Sequence, residues 1–147
     1  MLRLATDRDI DFLVGIHKLS FDTERITRKE FIMHLRSNRS RVMIYQDAFP
    51  VAYSIGVYLF TSKRARLYSV GVLPDNRRRG ILLSLLQDFE QDAKTNKLGE
   101  LFLEVEEDNE RALNVYKRFG FEQYSIFPKY YENGKDAIRL KKLLTLD

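Results

Sequence analysis

Arg77-Arg78-Arg79-Gly80, followed directly by Ile81-Leu82-Leu83-Ser84-Leu85-Leu86, places three guanidiniums and a glycine where a helix is expected to start. A helix N-terminus carries unpaired N–H groups and a partial positive charge, and a glycine there lets a ligand come close to the backbone. That combination suits a phosphate or pyrophosphate. A solvated arginine turn that merely opens a helix reads the same way, because short Gly-containing patterns recur by chance. Downstream lie Glu104, in Leu101-Phe102-Leu103-Glu104-Val105, and Tyr116, between Asn109 and Gly120. A carboxylate can take a proton from an amine, directly or through water, and a phenol can give one to a leaving group. Each has a plainer alternative: a carboxylate paired with a nearby cation, and a tyrosine packed on the apolar stripe of its helix. Tyr130, Tyr131 and Phe21 can wall a binding pocket, or serve only as loop and strand-edge aromatics.

These groups need a scaffold that gathers them. Val70-Gly71-Val72 reads as the end of a strand, and Pro74-Asp75-Asn76 as the turn leading to the arginines. After Gly80, the residues Leu82, Leu85, Leu86, Phe89 and Ala93 recur at helical spacing and form one apolar face. Lys97-Leu98-Gly99 ends that unit, and Leu101 to Val105 is the next strand. Asn109 opens a short helix with Ala112, Val115, Tyr116 and Phe119 on one stripe, closed by Gly120. A strand–helix–strand crossover therefore sits mid-chain. Open α/β sheets bind ligands at the carboxyl ends of their strands, so an anion at Arg77 to Gly80 is expected beside Glu104.

Upstream, Leu2 to Ala5 reads as a first strand, and Thr6 and Thr27 open helices that run to about Ser20 and Arg36. Arg41 to Gln46, Val51 to Phe60 and Ala65 to Val72 form an antiparallel meander. Glu122 to Phe127 and Ala137 to Lys142 are the last strands. The sum is one α/β domain over residues 1–147, a mixed and mostly antiparallel sheet of about seven strands with helices on both faces.

Composition narrows the chemistry. The chain has 147 residues, 44% of them hydrophobic and 31% charged, which suits a folded domain with a proper core. It has no cysteine, which excludes thiolate metal sites and a cysteine nucleophile. Two histidines, His17 and His34, are too few for a histidine-rich metal centre and are read as packing or surface residues. The net charge of +4 fits an anionic ligand and does not demand nucleic acid. The first residues show no signal-peptide pattern and no run approaches a membrane span, so a cytoplasmic location is the default expectation.

Arg77-Arg78-Arg79-Gly80-Ile81-Leu82 resembles the Gln/Arg-x-x-Gly-x-Gly/Ala loop of the GNAT N-acetyltransferase superfamily. Asn109-x-x-Ala112-x-x-x-Tyr116-x-x-x-Gly120-Phe121 is similar to its second motif. Leu103-Glu104-Val105 and the tail from Tyr130 to Ala137 resemble the ribosomal-protein-alanine and related N-terminal protein acetyltransferases within it. The resemblance runs from the first strand to the last. It implies acetyl-CoA as donor, a primary amine as acceptor and no metal. It implies that the loop from Arg77 to Leu82, including Arg78, Arg79 and Gly80, cradles the pyrophosphate. It further implies that Val70, Gly71 and Val72 hydrogen-bond the pantetheine arm, that Asn109 helps hold the cofactor, that Tyr116 protonates the leaving thiolate and that Glu104 is a candidate base through water. Three positions depart from the pattern: Leu82 stands where glycine or alanine is usual, Arg78 where glycine is frequent, and Glu106 where an arginine often follows Leu-Glu-Val.

The reading is therefore an acetyl-CoA-dependent N-acetyltransferase acting on a protein or peptide α-amino group, as a monomer or homodimer. Its rivals are an acetyltransferase for a small amine such as a polyamine, amino sugar or amino acid, and a non-catalytic acyl-CoA-binding module. The acidic run Glu106-Glu107-Asp108 favours a cationic acceptor, while Leu82 and Arg78 favour the non-catalytic module.

Overall fold

The computed structural model describes residues 1–20, 26–77 and 79–146. Its strands are β1 (Leu2–Leu4), β2 (Ser40–Gln46), β3 (Pro50–Leu59), β4 (Arg64–Val72), β5 (Glu100–Glu106), β6 (Glu122–Phe127) and β7 (Ala137–Leu143). Its helices are α1 (Ile10–Ser20), α2 (Arg28–Arg36), α3 (Ile81–Thr95) and α4 (Glu110–Phe119). The strands form one sheet in the order β1-β2-β3-β4-β5-β7-β6. Every neighbouring pair is antiparallel except β4 with β5, which the α3 crossover makes parallel. The expected mixed sheet is thus the observed one. No helix among the described residues is long and apolar enough to cross a membrane.

Helices cover both faces. On one, Leu13 and Ile16 of α1 and Phe31 of α2 pack on Val42, Ile44, Tyr53 and Ile55. On the other, Leu86, Phe89 and Ala93 of α3 and Leu113 of α4 pack on Leu67, Leu101, Leu103 and Leu140. Each fully buried Leu or Phe contributes roughly 1.5–3 kcal/mol, so the two apolar layers hold the sheet between them. Local signals set the helix ends. The Thr27 hydroxyl accepts the Glu30 N–H at 3.1 Å, and the Asn109 side chain accepts the Ala112 N–H at 3.3 Å. The first helix differs from expectation, beginning with a 3-10 turn over Asp7–Asp9 before α1 proper.

Two irregularities shape the centre. β4 pairs with β5 only at Arg64↔Glu100, Ala65↔Leu101 and Arg66↔Phe102. Beyond that point β4 stays on β3 as far as Ala52↔Val72, and β5 stays on β7 as far as Glu106↔Ala137. The two central strands therefore part like the arms of a V. The register between β3 and β4 also slips, from Ile55↔Ser69 to Gly56↔Leu67, leaving Tyr68 as an extra residue in a bulge. The bulge shifts the alternation of β4 by one residue, so Ser69 and Gly71 face Tyr53 on the α1 side. A methyl group on Gly71 would meet the Tyr53 ring at 2.6 Å, so the strand can lie against that ring only without a side chain there.

The start of the chain is fixed by a partly buried ion pair. Arg3 donates from Nη1 and Nη2 to the two oxygens of Asp9, both at 2.8 Å, and the Thr6 N–H donates to Asp9 at 2.7 Å. The Arg3 hydrogen bond holds the Asp9 carboxyl below its ordinary range, against the upward push of burial. A depressed carboxylate pKa contributes stability above the unfolded-state value, and that stability is lost as pH falls through the folded value. Asp9→Asn is expected to lose about 1–2 kcal/mol at neutral pH in urea unfolding. That deficit is expected to shrink below about pH 4, where the wild-type carboxylate is also neutralised. A deficit that stays constant on acidification would show that Arg3 draws nothing from the charge.

Candidate active site

The parting of β4 and β5 opens a cleft of about 740 Å³. Its mouth is the N-terminus of α3. Gly80 sits there in the left-handed region (φ 75°, ψ 9°), which a glycine reaches without strain, and no side chain caps the helix. The first chain-internal bond of the helix runs from the Ser84 N–H to the Gly80 carbonyl at 3.0 Å. The N–H groups of Ile81, Leu82 and Leu83 are left open at the cleft by the geometry of a helix start. Leu82 packs its side chain against the core shared by α3 and α4, on the apolar wall of the cleft. The branched residue is thus accommodated sideways while its amide stays on the first turn.

Two guanidiniums of this turn have partners within the chain. Arg77 Nε donates to the Val72 carbonyl at 3.1 Å, and Arg79 pairs with Asp47 of the β2–β3 hairpin at 2.9 Å. Arg78 lies outside the described residues, as does Phe21. Among the described residues, the turn presents to the cleft the backbone amides of the helix start and the Arg77 side chain. Val70, Gly71 and Val72 line the cleft from the β4 side, where their edge has lost β5 as a partner. The Val72 carbonyl accepts a second bond from Ser20 Oγ at 3.3 Å, tying the strand end to α1. Asn109 caps α4 and lines the same cleft.

Glu104 and Tyr116 flank the point where the strands part. Tyr116 reaches the cleft from α4, nearly buried and edge-on to Phe121 at 5.8 Å. Leu101, Leu103 and Val105 face the α3–α4 core, so Glu104 points to the opposite face, as the strand alternation requires. The Glu104 side chain is only 5% exposed. Its Oε1 takes a close hydrogen bond from Arg66 Nη2, and its Oε2 lies 3.6 Å from Arg139 Nε on the neighbouring strand β7. Both plain readings of Glu104 are therefore met at once: it is a cleft residue and an ion-paired one. Burial acts to lower the Arg66 pKa, but the Glu104 carboxylate and the Tyr130 hydroxyl together offset this and the net shift is upward. Glu104 Oε2, Arg66 Nε and Arg139 Nε are buried with no hydrogen-bond partner in the structure, which marks this spot as one that water or a substrate group can complete.

The loop between β6 and β7 closes the same side. Tyr131 lines the cleft, and its carbonyl accepts the Gly134 N–H at 2.9 Å. Tyr130 stands at the rim, about half exposed, with its ring edge-on to Tyr131 at 5.0 Å and its hydroxyl 3.4 Å from Arg66 Nη2. Lys135 forms a close pair with Asp108 and lies 3.9 Å from Glu106, so one positive charge from within the chain offsets part of the acidic run. Three side chains near the site escaped the sequence reading: Arg66, Arg139 and Ser69. Glu104↔Arg139 are cross-strand partners and Arg66 sits on the parallel neighbour, so only the strand order brings them together.

The model of the acetyltransferase (GNAT) family matches residues 8–121. An N-alpha-acetyltransferase of Sulfurisphaera tokodaii is 28% identical, over 92% of this chain and 88% of its own length. N-alpha-acetyltransferase 30 of Schizosaccharomyces pombe is 35% identical over 74% of each chain. The crystal structure of Ard1 from Thermoplasma volcanium shares the fold with a TM-score of 0.91 at 24% identity, covering 99% of this chain and 97% of that one. A strand pair that parts over an uncapped, glycine-led helix start and a family match over most of the chain lead to one conclusion: this protein belongs to the GNAT acetyltransferase family.

Proposed function

We propose that this acetyltransferase acts on the N-terminal α-amino group of a protein or peptide, with acetyl-CoA as donor. The observation that carries the reading is the V-shaped parting of β4 and β5, which brings unpaired strand backbone, the open α3 terminus, Glu104 and Tyr116 to one cleft. The fit to the donor is chemical: helix-start amides for a pyrophosphate, a strand edge for an amide-bearing arm, an apolar wall beside both. The amides of Ile81 to Leu83 beside Gly80 would hold the diphosphate, with Arg77 and Asn109 at its flanks. The backbone of Val70, Gly71 and Val72 would bond the arm. When bound, acetyl-CoA supplies a thioester carbon open to attack by an amine.

The chain's own residues do the proton work. An ammonium cannot attack, so its proton must leave first. Glu104 Oε2, the oxygen that Arg66 does not hold, takes that proton through a water. The Tyr116 hydroxyl would give its proton to the departing sulfur and regain one, through water, from the nitrogen, which sheds its second proton as it becomes an amide. Tyr131, with Tyr130 at the rim, walls the acceptor side. Lys135 offsets part of the acidic run that favoured a polyamine, and the relatives named N-alpha-acetyltransferase support an α-amine. A cytoplasmic protein that needs neither metal nor nucleic acid completes the reading.

The test is thiol release from acetyl-CoA with N-terminal peptides, polyamines and amino sugars, alongside calorimetric binding of acetyl-CoA. Micromolar donor binding with turnover on peptides is the expected result. Turnover confined to small amines would overturn the acceptor, and absence of donor binding would overturn the site. Tyr116→Phe is expected to lower kcat by about 10²-fold or more with unchanged acetyl-CoA affinity, since only a proton donor is lost. An unchanged kcat removes Tyr116 from the acid role. Glu104→Gln is expected to lower kcat by a similar order and to flatten the acidic limb of the pH–rate profile. A limb that persists in the variant assigns the base elsewhere.

A further inference from the structure

A line of buried polar groups crosses the core on the α1 side of the sheet. The Ile26 N–H donates to His17 Nε2 at 3.0 Å. His17 Nδ1 lies 2.8 Å from the Tyr53 hydroxyl, and that hydroxyl lies 2.8 Å from Ser69 Oγ. Relative exposure is 4% for His17, 0% for Tyr53 and 5% for Ser69. Apolar side chains would fill this layer without the desolvation that three polar groups incur, so the arrangement calls for a reason beyond packing.

The line has a direction. A ring nitrogen that accepts a backbone N–H carries no proton, so His17 is neutral with its proton on Nδ1. That proton is given to the Tyr53 oxygen, which leaves the Tyr53 proton within reach of Ser69 Oγ, 2.8 Å away. Ser69 keeps its own proton, which has no acceptor among the described residues. Ser69 lines the cleft, and the β4 bulge puts it on the face that carries Arg66 and Glu104, away from the α3–α4 wall. The result is a hydroxyl with a proton to donate on the acceptor side of the cleft.

A donor aimed at the attacking nitrogen would occupy the lone pair that must react, so its useful target is an oxygen. A peptide N-terminus offers one: the carbonyl of its first residue is attached to the same α-carbon as the amine. A lysine ε-amine or a polyamine has only methylenes at that place. We propose that Ser69 donates to the first carbonyl of the acceptor, that Tyr53 and His17 are positioning residues for that donor, and that this bond makes the site prefer α-amines over ε-amines. The proposal rests on the reading of the protein as an N-terminal acetyltransferase.

The test compares kcat/KM for two peptides, one with a free α-amine and no lysine, the other N-terminally blocked with a single lysine. In the wild type the first is expected to be preferred. Ser69→Ala and Tyr53→Phe are each expected to reduce the α-to-ε preference roughly tenfold, mostly through KM for the α-amine peptide, and the double variant to lose no more than either. Ser69→Thr, which keeps the hydroxyl, is expected to restore the preference, which a general packing defect would not allow. The ¹⁵N shifts of His17 are expected to show the proton on Nδ1, independently of activity. A preference unchanged in Ser69→Ala, an equal loss on both peptides, or a proton on Nε2 would overturn the proposal alone. A wild type that favours the ε-amine would overturn the N-terminal reading itself, before any variant is made.

Discussion

The departure of β4 from β5 is the constraint on which the molecule turns. A parallel pair needs a crossover, and α3 supplies it by leaving β4 at Val72 and returning to β5 at Glu100. Only three residue pairs bond across the seam. Past Phe102, each strand keeps its hydrogen bonds on one side and loses them on the other. Unpaired backbone in a crevice is a standing demand for a partner, which water or a bound chain must meet. The sheet survives because β3 and β7 grip the outer edges of the two arms, and because apolar layers press from both faces.

Charge is arranged so that the chain answers its own side chains and leaves its backbone open. Arg79 is spent on Asp47, Arg77 on the Val72 carbonyl, and Lys135 on Asp108. Toward an anion stands the start of α3, whose amides and dipole cost no reorganisation when a ligand arrives, with Arg77 beside it. Glu104 is the counterpart on the other side. A carboxylate this deeply buried needs a cation, and removing Arg66 would leave a buried charge uncompensated. The same pairing leaves Oε2 with capacity to spare, so the ion pair that keeps Glu104 in place also leaves one oxygen for chemistry.

Packing ties the acceptor side to the core. Gly71 has no side chain because the Tyr53 ring fills that space. The ring is held by its hydroxyl between His17 and Ser69, and His17 is held by the backbone of Ile26. A change at any of these positions is felt at the cleft through β4.

Much of this was legible in the chain itself. Period-two and period-3.6 patterns placed the strands and helices within a residue or two, because each element buries one face. Thr27, Asn109 and Gly120 marked helix ends through their own local hydrogen bonding or φ. The glycine-led arginine turn and the Asn109–Tyr116–Gly120 spacing located the cleft, since both motifs are short and local. The sequence also determined that Glu104 faces away from Leu103 and Val105. What it could not carry was phase and partnership. The bulge at Tyr68 is invisible in a list of residues, yet it turns Ser69 toward Tyr53. Arg66 and Arg139 lie far from Glu104 along the chain and meet it only because β4, β5 and β7 are neighbours in the sheet. Arg77 and Arg79 have partners on a strand end and across a hairpin that the chain order does not announce. Alternation and capping act within a few residues and are written in order; register, ion pairing and proton direction depend on which distant strands lie side by side, and only the folded sheet decides that.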